Sequence, residues 1–218
     1  MDYNKIFTVI LFVFFIIGCK DVYNDLDIDV VRFEKQFYNS GEKQLDSLIY
    51  KYPFLFPSQF PRSTWVNKIT DSVEISLYNK SIIEFKDYDF NSLKIKSIFN
   101  NAQNILEDFD SPKVFTLITK SDFENRMIYS GPYLFISLNL YFGSDYYGDF
   151  PSYISKRMDK SFIANDIAFK ISEGYISGED DRTLLYKMIE YGKILYLNKL
   201  LNINEEDWVI FNTTLEKM

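Results

Sequence analysis

One unbroken apolar run, Ile6 to Cys19 (IFTVILFVFFIIGC), decides which part of this chain is free to fold. A helix needs about 20 apolar residues to cross a hydrocarbon core of roughly 30 Å, and this run stops short of that. It has the form of the hydrophobic region of a secretion signal, preceded by Lys5 and Asp2. Its ending, Ile16-Ile17-Gly18-Cys19, matches the bacterial lipobox. Gly18 is the small residue that cleavage requires, and Cys19 becomes the first residue of the mature chain. Its thiol then takes a diacylglyceryl group and its amine an acyl chain. Each buried methylene contributes about 0.8 kcal/mol, so several chains hold firmly where one is marginal. Residues 1–18 therefore read as a lipoprotein signal peptide, Cys19 as the lipidation site and the membrane as the first partner. The competing reading, an uncleaved anchor, asks a short run to span a bilayer.

Acylation of Cys19 has a consequence for everything downstream. It is the only cysteine, so the folded part has no disulfide and must be held by packing. With 47% hydrophobic residues, 18% of the chain being aromatic, a sizeable core can form and wholesale disorder is excluded. About 200 mature residues fit one domain or two small ones. Loss of residues 1–18 removes one acid and one base, so the net charge stays at -7, a sign that argues against a nucleic-acid partner. The chain has no histidine. That removes the commonest general base, the Ser-His and Cys-His pairs, and His-based zinc sites.

Residues 19–30 read as a polar, membrane-proximal tether, and a folded domain is expected over 31–218. Asp25, Asp27 and Asp29 have the opening spacing of a calcium loop, but Val30 and Gln36 stand where Gly and Glu are needed. Two short helices, Val31 to Asn39 and Glu42 to Tyr52, are expected on either side of Ser40-Gly41. In the next segment, Pro53-Phe54-Leu55-Phe56-Pro57-Ser58-Gln59-Phe60-Pro61, the prolines enforce an extended path. Its phenylalanines are expected to tuck into the body. A helix capped at Ser63 or Thr64 carries Trp65, Ile69, Val73 and Leu77. The best-patterned helix begins at Asn91 or Ser92, with Ile95, Ile98, Phe99, Ala102, Ile105, Leu106 and Phe109 in one stripe.

After Asp110-Ser111-Pro112 the pattern changes. Val114 to Thr119, Arg126 to Tyr129 and Tyr133 to Leu138 read as strands of a small, largely antiparallel sheet. An aromatic loop, Asn139 to Asp149, follows. A helix is expected over Phe162 to Glu173, ended by Gly174, and another over Arg182 to Leu200. In that last helix Leu185, Met188, Ile189, Gly192, Leu195 and Tyr196 form the stripe, and a close backbone approach would explain Gly192.

Motifs for chemistry are scarce. There is no phosphate loop, dinucleotide fingerprint or nucleophile elbow in the sequence. Ser40-Gly41-Glu42-Lys43 matches a Ser-x-x-Lys dyad in form, in a polar break where chance explains it better. Glu173, Glu179, Asp180 and Glu190 could supply an acid/base pair, although a charged loop is more often a solvated face. Tyr141, Phe142, Tyr146, Tyr147, Phe150 and Tyr153 cluster where loops follow strands, a common place for sites. A composition this rich in Phe and Tyr also produces such clusters without function.

Several segments in order resemble the gliding motility lipoprotein GldB family of Bacteroidota. They are the lipobox, Tyr52-Pro53-Phe54-Leu55-Phe56-Pro57, Pro112-Lys113-Val114-Phe115-Thr116, Tyr133 to Leu138 with Leu140-Tyr141-Phe142-Gly143, Phe150-Pro151-Ser152-Tyr153-Ile154, and Thr183 to Leu197. Met188 to Leu197 (MIEYGKILYL) is the most specific. The resemblance implies a non-enzymatic lipoprotein of the cell envelope, at the periplasm or cell surface, that works with other gliding proteins. It also implies a degenerate, zincin-like relative of zinc metallopeptidases. Phe162 to Glu173 (FIANDIAFKISE) then lies where a His-Glu-x-x-His helix would, without the ligands, so no metal, cofactor or catalytic residue carries over. Family members continue beyond the position of Met218, which implies a truncated copy or a fragment.

The expectation is therefore an α+β fold, predominantly helical, with a small mainly antiparallel sheet. A gliding component is the leading functional reading. An envelope lipoprotein binding glycan or peptide through aromatic loops is the alternative, and a carboxylate-only hydrolase is the third.

Overall fold

The computed structural model describes residues 26–120, 122–176 and 183–211. Cys19 and the acidic residues Glu179 and Asp180 lie outside them. The described chain begins inside the expected tether. There Ile28 is buried, its N–H donating to Asn91 Oδ1 at 2.7 Å, and Asp29 pairs with Lys113 at 2.7 Å.

Strand β1 (Val30–Val31) leads into α1 (Phe33–Lys51), α2 (Arg62–Thr70), α3 (Ser72–Glu84) and α4 (Leu93–Ile105). Next come β2 (Lys113–Leu117), β3 (Met127–Ser130) and β4 (Tyr133–Ser137). The short α5 (Ser152–Ser155), α6 (Ile163–Ile176), α7 (Leu184–Leu201) and the short α8 (Asp207–Ile210) complete the order. The result is an α+β fold, mostly helical, around one small open sheet.

The sheet corrects the antiparallel expectation. Its order is β1-β2-β4-β3, with β1 to β2 and β2 to β4 parallel, and only the β3–β4 hairpin antiparallel. Burial explains the order. Val114, Phe115 and Thr116 of β2 are all buried, and β4 is buried or half-buried along its length, as strands covered on both faces must be. β3 exposes Ile128 and Ser130 and takes the edge. The chain therefore passes the β4 position before turning at Gly131, whose φ of +55° suits glycine.

Alternation along these strands separates two cores. Val114, Leu134 and Ile136 face Ile98, Phe99, Ile167 and Ile171. Phe115, Tyr133 and Phe135 face the other way, toward Phe33, Phe37, Tyr52 and Phe56. Ile95, Ile98, Phe99 and Ala102 of the expected stripe are the buried face of α4, whereas Ile105 is exposed and Leu106 and Phe109 lie beyond the helix end, half-buried and buried.

One helical expectation in the first half of the chain holds and two others change. Gly41, at φ +58° and ψ -174°, leaves the helical region, so α1 consists of two helical segments that meet at a kink, at the break expected at Ser40-Gly41. The helix expected to run from Trp65 past Val73 is instead divided, because Asp71 accepts from the N–H groups of Val73 and Glu74 and starts α3 afresh. Gly174 lies inside α6, where a Cβ would meet the Tyr129 ring at 2.8 Å, so it permits a close ring approach and does not stop the helix.

The stripe expected on α7 faces outward. Leu185, Met188, Ile189 and Tyr196 are exposed, while Ile194, Leu197, Asn198 and Leu201 are buried. The buried face is partly polar. Asn198 and Asn202 donate to Asn165 Oδ1 at 3.3 and 3.4 Å, which ties α7 to α6. A Cβ on Gly192 would meet nothing within 4 Å, so no backbone approach explains this glycine. Gly192→Ala should therefore stabilise the protein by about 1 kcal/mol through helix propensity alone. A denaturant titration showing lower stability would mean that the position is constrained.

Candidate functional site

Around β2 the structure builds a cavity of about 480 Å³. Phe33 and Phe37 of α1, Phe56 and Phe60 of the proline-punctuated segment, and Trp65 of α2 form its apolar wall. Phe56 meets Trp65 edge to face at 5.1 Å and Phe60 meets it at 6.0 Å. The prolines explain the placement. The path is not extended as the sequence suggested: Pro53 opens a 3-10 helix over Pro53–Leu55, the Phe60 N–H donates to the Pro57 carbonyl at 3.1 Å, and these turns bring Phe56 and Phe60 to one indole. Phe56 is buried as expected of this segment, but Phe54 is 40% and Phe60 47% exposed. The segment thus serves the core and the cavity together.

One end of the cavity is ionic. Glu74 is 2% exposed and accepts from Tyr38 Oη and Lys68 Nζ, both at 2.6 Å, with Lys120 Nζ 3.6 Å from its other oxygen. Burial first, and then the hydrogen bond to Glu74, push the Tyr38 hydroxyl far above its ordinary value. Asp71 is held below its ordinary value, chiefly by the Glu74 N–H it accepts. Glu34, 1% exposed, accepts from Arg32 Nε at 2.6 Å and from the Thr116 hydroxyl at 2.5 Å. These buried carboxylates are engaged by local donors and cations, as burial of charge requires. The arrangement suits retention of an apolar group beside a fixed ionic end.

Residues singled out from sequence fall elsewhere. Tyr141 and Phe142 are core residues, while Tyr146, Phe150 and Tyr153 are exposed, so the expected aromatic loop site is split between core and surface. The Ser40 hydroxyl donates to the Phe37 carbonyl at 2.8 Å, a bond that supports the bend of α1. Glu173 pairs with Lys170 and Glu190 with Lys187, each within one helix. The cavity escaped the sequence reading because its walls come from segments far apart in the chain. The one local signal was the run of phenylalanines between prolines, whose rings were expected in the body of the protein and not in a recognition groove.

α6 occupies the place assigned to the metallopeptidase-like helix. Its Asp166 accepts from Arg126 Nε and Nη2 at 2.7 and 2.8 Å, from Tyr141 Oη at 2.8 Å and from Arg157 Nη2 at 3.2 Å. Among the described residues there is no group of three or more His, Cys, Asp or Glu that could hold a metal ion. None of the described helices is long and apolar enough to cross a membrane.

Fold and cavity together define an α+β protein with a small mixed sheet and an aromatic-walled recess. The family described as "Gliding motility protein GldB" matches residues 20–218, and the chain belongs to it. No curated protein and no solved structure matches the chain.

The cavity's ionic end has a pH signature. A tyrosine whose folded value is raised stabilises the fold below its ordinary value near 10, and that contribution is lost as pH climbs toward the folded value. Tyr129, pushed up to about 12 by burial and then by Tyr175, acts in the same direction. Ultraviolet titration should show tyrosines resisting ionisation above pH 10, with stability falling across the same range. Glu74→Gln should lower the Tyr38 midpoint and cost about 1.5–3 kcal/mol, the scale of a charged hydrogen bond. An unchanged tyrosine titration in Glu74→Gln would refute the coupling.

Proposed function

We propose that this protein is a membrane-anchored, non-enzymatic interaction component of the Bacteroidota gliding machinery, acylated at Cys19, with its folded part on the periplasmic or outer surface of the cell envelope. The family match over residues 20–218 carries this reading. It begins one residue after Cys19, where the lipobox would start the mature chain. The aromatic-walled cavity supports an interaction role, because its apolar lining offers a seat for side chains of another envelope protein. Its buried carboxylates are engaged by Thr116, Tyr38, Lys68 and Arg32, which favours recognition over acid/base chemistry.

Complementation of a deletion strain provides the test. Loss of surface spreading with normal nutrient uptake is expected on deletion, with rescue by the wild type. Cys19→Ala should fail to rescue and should leave unacylated protein by intact mass. Trp65→Ala should be anchored normally yet rescue poorly. Full spreading with Cys19→Ala would refute the anchor, and impaired uptake with normal spreading would favour a nutrient-binding lipoprotein.

A further inference from the structure

A second cavity, of about 380 Å³, shares no lining residue with the first and lies beside the start of β3 and α6. Its floor is the cluster around Asp166, and the charges there do not balance. Two guanidinium groups, Arg126 and Arg157, share a single buried carboxylate. Each of the three side-chain nitrogens of Arg126 has an acceptor. Arg126 makes two of the three short bonds to Asp166, donates Nη1 to the Phe123 carbonyl at 2.7 Å, and lies 3.9 Å from the Phe123 ring.

Arg157 is not occupied in this way. Its one bond to Asp166 is the long one, at 3.2 Å, and its Nε is buried with no hydrogen-bond partner among the described residues. Burial, opposed by Asp166 and reinforced by Arg126, lowers its affinity for its own proton. An unpartnered buried donor on a charged group costs about 1–3 kcal/mol or more. Such a group beside a cavity is fitted to an incoming anion. A guanidinium presents parallel donors to a carboxylate.

We propose that this cavity binds a carboxylate carried on an apolar body, with Arg157 holding the carboxylate and Phe169, Tyr191 and Ile210 enclosing the rest. The charge balance favours a monoanion over phosphate. Only one cation is uncompensated at the floor, Lys170 is paired with Glu173, and Glu124 adds negative charge at the rim. The carboxylate has two possible sources, a free organic acid or the C-terminus of a peptide ending in an apolar residue.

The test uses the full-length chain in uncharged detergent, labelled with nitrogen-15. The Arg157 Nε–H resonance is followed while 3-phenylpropionate, its amide, the dipeptide Gly-Phe, its C-terminal amide, or inorganic phosphate is added. The expected result is a saturable shift of this resonance by an acid, at least tenfold tighter than by the matching amide. It should be lost in Arg157→Gln and retained in Arg62→Gln, a surface arginine. The tighter of the two acids identifies the source. Equal binding of acid and amide, stronger binding of phosphate, or no shift with any probe would each overturn the proposal. Because acid and amide are compared on the wild type, the result stands even if Arg157→Gln does not fold.

Discussion

The carboxylate of Asp166 is the interaction on which one half of this structure depends. It accepts four hydrogen bonds, which converge from the residue ahead of β3, from the stretch after β4, from the loop before α6 and onto α6 itself. Tyr141 is so fully buried that its hydroxyl needs this partner, and burial together with Asp166 keeps it protonated far above the ordinary range. A buried charge is tolerated only when its donors are supplied together. The edge strand and the helix beside it are therefore located by one carboxylate, and the same shortage of negative charge leaves Arg157 facing a cavity.

The other half is organised by the sheet. β2 is paired in parallel with β1, more than eighty residues earlier in the chain, so four helices must be placed before that pairing closes. Closing so long a loop has an entropic cost that grows only slowly with length, and the buried faces of β2 offset it. Phe115 packs into a largely aromatic core on one side and Val114 into a mixed aliphatic and aromatic core on the other. With no disulfide available among residues 20–218, this double burial holds the early helices to the later strands.

Membership of the GldB family and the cavity geometry bear on different levels of function. The family relates the chain to gliding motility. The cavity walled by Phe56, Phe60 and Trp65, with Glu74 and Tyr38 fixing its ionic end, is the surface to which the proposed interaction role is assigned. The exposed outer face of α7 is a further apolar surface, but its residues line neither cavity apart from Tyr191.

From sequence alone, the positions of most helices and all three later strands were readable, because periodicity is a local property of side-chain order. The stripe Ile95, Ile98, Phe99 and Ala102 is buried as its spacing requires. The lipobox and the absence of histidine likewise limited the chemistry without reference to any fold. The order of the strands was not legible, since pairing depends on which faces the helices cover. The α7 stripe was read on the wrong side, because a helix apolar around much of its circumference does not announce which face finds a partner. Asp166 and Arg157 gave no signal, and neither did the aromatic cavity beyond its prolines. Their meaning arises where residues distant in the chain meet in low dielectric, and only the tertiary structure brings them together.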